Sequence, residues 1–142
     1  MFHPPQGSPA SQRYLISPSD KIVIASDAEV STGNTSATEC KRIKINMFGT
    51  IRTYFELRSY SSYSAWGFVG RNSRAIGTQR STTSTSYVAF TEDIDGWMEG
   101  DNYQLYLWVI TSGNYAYARN FRANGTLQVL ISPPVGRVEP VG

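Results

Sequence analysis

The chain has one cysteine and one histidine in 142 residues, and those two shortages remove most nucleophilic and metal chemistry. With Cys40 alone there is no intrachain disulfide and no thiolate metal site. A cysteine or serine nucleophile needs a basic partner. His3 sits in "MFHPPQGSPAS", a proline-rich stretch with nothing to hold an imidazole in place, so Ser–His–Asp catalysis and most zinc sites go as well. Charge is scarce too, at 17% of residues with a formal net charge of +2. The basic residues are scattered, which argues against nucleic acid. In the one local cluster, "KRIK" at 41–44, strand alternation puts Arg42 and Lys44 on a single face, read as a solvated one. No apolar run approaches the roughly 18 residues of a membrane span. The first residues lack the charged-then-apolar pattern of a signal peptide, so a soluble, unsecreted protein is expected, and the sequons at Asn34 and Asn124 carry no weight.

What is present points to a folded body. Apolar residues make up 40% and aromatic residues 13% of the chain, enough for one domain with a hydrophobic core. Three zones follow from composition. Residues 1–19, with Pro4, Pro5, Pro9 and Pro18, read as an extended arm. Residues 20–132 form the body, and 133–142, "PPVGRVEPVG", a matching tail. The body has almost no helical periodicity and many period-two segments.

The segments "KIVIA" (21–25), a short piece near 28–31, "KRIKINMF" ending at Gly49, and "IRTYFELR" read as successive strands. In the last, Ile51, Thr53, Phe55 and Leu57 oppose Arg52, Tyr54, Glu56 and Arg58. "AWGFVGR" and "RAIGTQR" flank Asn72–Ser73 as a hairpin, and "SYVAFTE" follows a polar linker. "NYQLYLWVIT" is apolar on both faces, Leu105, Leu107 and Val109 against Tyr106, Trp108 and Ile110, as a central or partner-facing strand would be. After "YAYARNFRA", Asn124–Gly125 predicts a type I′ turn leading into "TLQVLI". About eight or nine such strands predict an all-β fold, an antiparallel β-sandwich or jelly roll.

The decamer "EDIDGWMEGD" (92–101) holds five of the eleven acidic residues and invites a chemical reading through Glu92, Asp93 or Asp95. As a calcium loop it fails, since Gly96 comes two residues early after Asp93 and Asp95. As a glycosidase pair it has no supporting signature. The favoured reading is a strand ending at Glu92, a tight connection at Gly96 and a turn at Gly100–Asp101, with Trp97 as a lid on the core. "GFVGRNSRAIGTQ" lacks the GK[ST] of a phosphate loop, so its glycines belong to a hairpin. No catalytic residue, metal or cofactor is expected.

Aromatics lie beside polar residues in "RSYSSYSAW" and "NYAYARNF", and ten of the thirteen basic residues are arginine. Both features suit protein interfaces and glycan stacking. Tyr60, Tyr63, Trp66, Tyr115, Tyr117 and Arg119 are the candidate interface or glycan surface.

The run from "GTIRTYFELRSYSSYSAWGFVGRNSRAIGTQ" through "STTSTSYVAFTEDI", "GW", "GD" and "QLY" to "RNF" resembles small β-sandwich domains in virion proteins of tailed bacteriophages and prophages. Asn72–Ser73 where an Asn-Gly turn belongs, and the added "ANGTLQVLI", depart from that pattern. The resemblance implies a non-enzymatic virion component, assembled in the host cytoplasm: a capsid decoration or accessory protein bridging neighbouring subunits. The alternative is a receptor- or glycan-binding head of a tail or fibre. Expected partners are other copies of the chain, as a trimer, and the major capsid or other virion proteins. A host-surface glycan belongs to the alternative, and neither nucleic acid nor membrane is expected. The N-terminal arm would make the bridging contact through Phe2, His3, Pro4, Pro5, Arg13 and Tyr14.

Overall fold

Period-two alternation demands strands, and the computed structural model, which describes residues 11–132, contains no helix among them. The strands are β1 (Ser11–Ser26), β2 (Val30–Thr32), β3 (Thr38–Lys44), β4 (Phe48–Ser59), β5 (Ala65–Arg71), β6 (Arg74–Ala75), β7 (Arg80–Thr82), β8 (Val88–Trp97), β9 (Asn102–Val109) and β10 (Ala116–Ser132). A first sheet has the order β2-β10-β1-β4-β8, with β10 also on β4, and a second has β3-β9-β5-β6, with β7 on β5. Pairing is nested: β1 with β10, β3 with β9, β4 with β8, and β5 with β6 and β7. All of these are antiparallel, and one short contact, Leu15–Phe48 and Ile16–Gly49, is parallel.

The inner faces meet in one cluster. Ile51, Phe55 and Leu57 of β4 and Ala116, Ala118, Phe121 and Ala123 of β10 join Tyr103, Leu105, Leu107 and Val109 of β9 and Val69 of β5. Each fully buried leucine or phenylalanine contributes about 1.5–3 kcal/mol, so this shared core fixes which face of every strand points inward.

Residues 11–19, expected in the arm, belong to the body instead. β1 starts at Ser11 and pairs with β10 from Ser11↔Ser132 to Ser17↔Thr126, skips four of its own residues, and resumes at Ile22↔Asn124. The skipped stretch contains Pro18, which has no N–H to offer a ladder and suits a bulge.

The Asn124–Gly125 turn is not formed, and β10 runs straight through it. Asn124 pairs with Ile22 of β1 and with Arg52 of β4, so β10 there lies between the two. At Leu15 and Ile16 it is β1 that lies between β10 and β4. The strands exchange places at Gly125, where an added Cβ would stand 2.3 Å from Ile16 Cγ1 and 2.7 Å from Ser17 O. Glycine is used here for close approach, not for its turn conformation. Gly49 grips the same residue from the other side: it does not break a strand but lies inside β4 at φ +125°, where a Cβ would be 2.4 Å from Ile16 O. The chain break falls at Ile45–Met47 instead.

The hairpin between β5 and β6 forms over Asn72–Ser73, both at positive φ (52° and 69°), with Arg71 facing Arg74. That is the type I′ geometry that matches strand twist. Ser73 N–H donates to the buried Gln104 Oε1 at 2.6 Å, and the Asn72 side chain bonds Asp101 and the Asn102 N–H. A serine held left-handed carries strain of about 1 kcal/mol. Ser73→Gly is therefore expected to raise the melting temperature, by about 1 kcal/mol of stability. An unchanged or lower melting temperature would contradict this account of the turn.

Candidate interaction surfaces

Of the proposed arm residues, Phe2, His3, Pro4 and Pro5 lie outside the described residues. Arg13 and Tyr14 are strand residues held by the body. The Arg13 guanidinium lies 4.2 Å from the Phe48 ring centre and Nε contacts Glu99 at 3.3 Å, while Tyr14 packs on the core.

The six residues of the candidate surface divide among three places. Tyr60, Tyr63 and Tyr115 are exposed at one end of the body, next to the β4–β5 connection and the start of β10. Buried Asn114 organises them: its Nδ2 donates to Ser59 Oγ at 3.0 Å and to Tyr63 O at 3.3 Å, while its Oδ1 accepts from Ser61 Oγ at 2.9 Å. Tyr60 N–H donates to Tyr115 O, and the two rings meet edge-on at 5.8 Å.

Tyr117 and Arg119 lie on the outer face of the first sheet, because alternation turns Ala116 and Ala118 inward. Their neighbours come from register: Tyr117 sits opposite Arg58 and Arg119 opposite Glu56. The Arg58 guanidinium covers the Tyr117 ring at 3.9 Å, and that of Arg119 covers Tyr87 at 4.1 Å. Arg119 Nε donates to Glu56 at 2.6 Å, Arg52 makes a two-toothed contact with Asp93, and Arg122 another with Asp27. The hydrogen bonds from Arg122 and Arg52 hold the carboxyls of Asp27 and Asp93 below their ordinary values. Burial pushes Glu56 the other way, but hydrogen bonds from Asn120, Arg119 and Tyr54 outweigh it. Burial, then the Glu29 carboxylate, pushes the Tyr87 phenol up to about 12. This face satisfies its own charges and offers little to an ionic partner.

That lattice sets an acid limit. A carboxyl whose folded pKa is lowered contributes stability above its unfolded value of about 4, and loses it as pH falls through the folded value. Melting temperature is therefore expected to hold from about pH 7 to 5 and to fall below about pH 4, by modest steps because the pairs are partly exposed. A melting temperature that climbs in acid would contradict the pairing.

Trp66 lies on the outer face of the second sheet, among residues the sequence did not group with it. Register sets Trp66 opposite Trp108 and Phe68 opposite Tyr106. The two indoles stack at 5.7 Å, Phe68 and Tyr106 stack at 5.0 Å, and Phe68 meets Trp108 edge-on at 5.5 Å. Each such pair adds about 0.5–1.5 kcal/mol beyond its buried area, which stiffens the group into a platform. Trp66, Tyr106 and Trp108 are partly buried, and Ile110 beyond them is exposed. The Glu39–Arg42 pair, 2.6 Å apart, lies on the neighbouring strand β3. The signal was visible as Tyr106, Trp108 and Ile110 on one side of β9; what the sequence lacked was the register that brings Trp66 and Phe68 beside them.

The acidic decamer is strand for most of its length. β8 extends to Trp97 rather than ending at Glu92, and Gly96, at φ +80°, sits in a bulge between the pairs Ile51↔Ile94 and Gly49↔Trp97. The turn comes later, where Asp101 N–H donates to Met98 O at 3.1 Å. Alternation sends Glu92 to the inner side and Asp93 to the outer. Glu92 accepts from Thr78 N–H and Oγ1, and Asp93 is held by Arg52, so the two carboxyls do not share a cleft. Among the described residues no group of three or more His, Cys, Asp or Glu side chains could hold a metal ion. The cavity beside Glu92, Thr78 and Arg80 holds about 10 Å³, room for about one water molecule and far short of the roughly 300 Å³ at which ligand sites begin. Burial pushes the half-buried Cys40 thiol up, away from the thiolate. No protein-family model, curated protein or solved structure matches this chain.

Proposed function

We propose that this chain is a non-enzymatic structural protein of a virus particle, a decoration or accessory component that strengthens the shell by bridging neighbouring subunits. The observation that carries the reading is the partly exposed aromatic group of Trp66, Tyr106 and Trp108, packed around the buried Phe68. It is built from the aromatic residue types that dominate protein interfaces. The proline-rich segment containing Phe2, His3, Pro4 and Pro5 supplies a second contact, and copies repeated on a lattice sum such contacts by multivalency. The nested pairing of β1 with β10, β3 with β9 and β4 with β8 supports a jelly-roll sandwich. The phage-domain resemblance in sequence points the same way.

The test is immunogold labelling of tailed particles released from the strain that carries the gene, for wild type and for Trp108→Ala. Label on wild-type shells is expected, with a loss of roughly tenfold or more in the folded variant. Particles without label in the wild type would overturn the reading. A glycan-binding head is the second reading, favoured by the exposed Tyr60–Tyr115 pair on its Asn114 scaffold. Saturable binding on a glycan array, lost in Tyr60→Ala, would select it.

A further inference from the structure

Beyond Gly125, β10 becomes an edge. Residues 126–132 pair with β1 on one side, and among the described residues nothing pairs with the other side. Leu127, Val129 and Ile131 share one face there and are 41%, 50% and 65% exposed. Edge strands are normally protected from pairing by charge, proline or bulges. The other long edges of this fold are so protected: β8 carries Glu92, Asp93, Asp95 and a bulge, and β3 carries Glu39, Lys41, Arg42 and Lys44. From Ala123 to Ser132, "ANGTLQVLIS" has no ionisable side chain and no proline.

We infer that residues 126–132 of β10 pair antiparallel with the same segment of a second copy of this chain. A two-fold contact sets each residue against another of the same short segment. Centred on Val129, it places Leu127 opposite Ile131 and Gln128 opposite Leu130, so no charge meets its like and no polar group is stranded against a charge. A charged partner would find nothing to pair with on this strand. Main-chain hydrogen bonds supply affinity, and Leu127, Val129 and Ile131 of both copies close into one apolar stripe beside Ile16, Tyr14 and Gln12, their respective partners in register. The self-contact then falls on this ribbon rather than on the tyrosine–arginine face, whose charges are already paired.

The experiment is the mass of the purified full chain in solution by light scattering across the micromolar range, for wild type and Val129→Lys. The expected result is a wild-type dimer and a variant weakened by roughly tenfold or more, since two lysines would face each other across the axis. Val129 is half-exposed in the single chain, so the variant keeps its melting temperature when dilute. A monomeric wild type overturns the inference, as does a Val129→Lys dimer of unchanged affinity. So does a chain that dimerises only after removal of residues 133–142, because that segment would then be the occupant. The mass measurement needs no particles, and so it fails or holds separately from the particle reading.

Discussion

Replacing Gly125 with alanine is expected to cost about 3 kcal/mol and to lower the melting temperature by about 10 °C. The added Cβ would stand 2.3 and 2.6 Å from Ile16 Cγ1 and Cδ1 and 2.7 Å from Ser17 O. None of these atoms can withdraw cheaply. Ile16 is buried at 1% exposure and has Gly49 against its backbone, and Ser17 is tied to Thr126 in the ladder. The site also separates two accounts of the same dipeptide. In a type I′ turn, Gly125→Asn would be tolerated, because asparagine accepts positive φ. At a crossing of strands it destabilises more than alanine does, because it is larger. Thermal unfolding of both variants decides the matter, and a shift of only about one degree in each would contradict the crossing.

Trp97→Ala carries the other large effect, a loss of about 3–5 kcal/mol. The ring is fully buried, edge-on to Tyr103 at 5.3 Å and covered by the Arg71 guanidinium at 5.0 Å. Arg71 Nη1 in turn donates to Asp95 O at 2.8 Å. Tyr103 continues the contact inward to Phe121 at 4.1 Å and donates its hydroxyl to Arg122 O at 2.8 Å. Removing the indole would open a cavity bounded by these groups. Asp95→Asn, two residues away on an exposed side chain, is expected to change stability by less than about 0.5 kcal/mol. Denaturant titration of the two variants measures the contrast. Equal small effects would mean that the tryptophan is not the structural centre of the acidic decamer.

The sequence and the structure diverge for identifiable reasons. Alternation in "IRTYFELR" and "NYQLYLWV" specifies which residues face the core, because a one-residue slip would turn every side chain over, and both strands have that orientation. The Asn72–Ser73 hairpin was legible from its length and its flanks. Asn124–Gly125 was not, because a glycine needed for close approach looks the same in one sequence as a glycine needed for positive φ. The first half of β1 was hidden by Pro18, which sits in a bulge instead of ending the strand. Tyr117 and Arg119 were grouped with Tyr115 by adjacency in sequence, yet alternation along β10 and the arginine lattice take them to another face. Trp66 was grouped with the tyrosines for the same reason, while its ring neighbours, Trp108 and Phe68, depend on long-range register.

The proposed function makes the aromatic face of the second sheet a docking face in a virus particle. A cryo-electron-microscopy reconstruction of particles from the encoding strain tests it directly. The account predicts this domain on the particle surface with Trp66, Tyr106 and Trp108 against a neighbouring subunit. Particles that lack the domain, or that carry it with those three side chains turned to solvent, would contradict it.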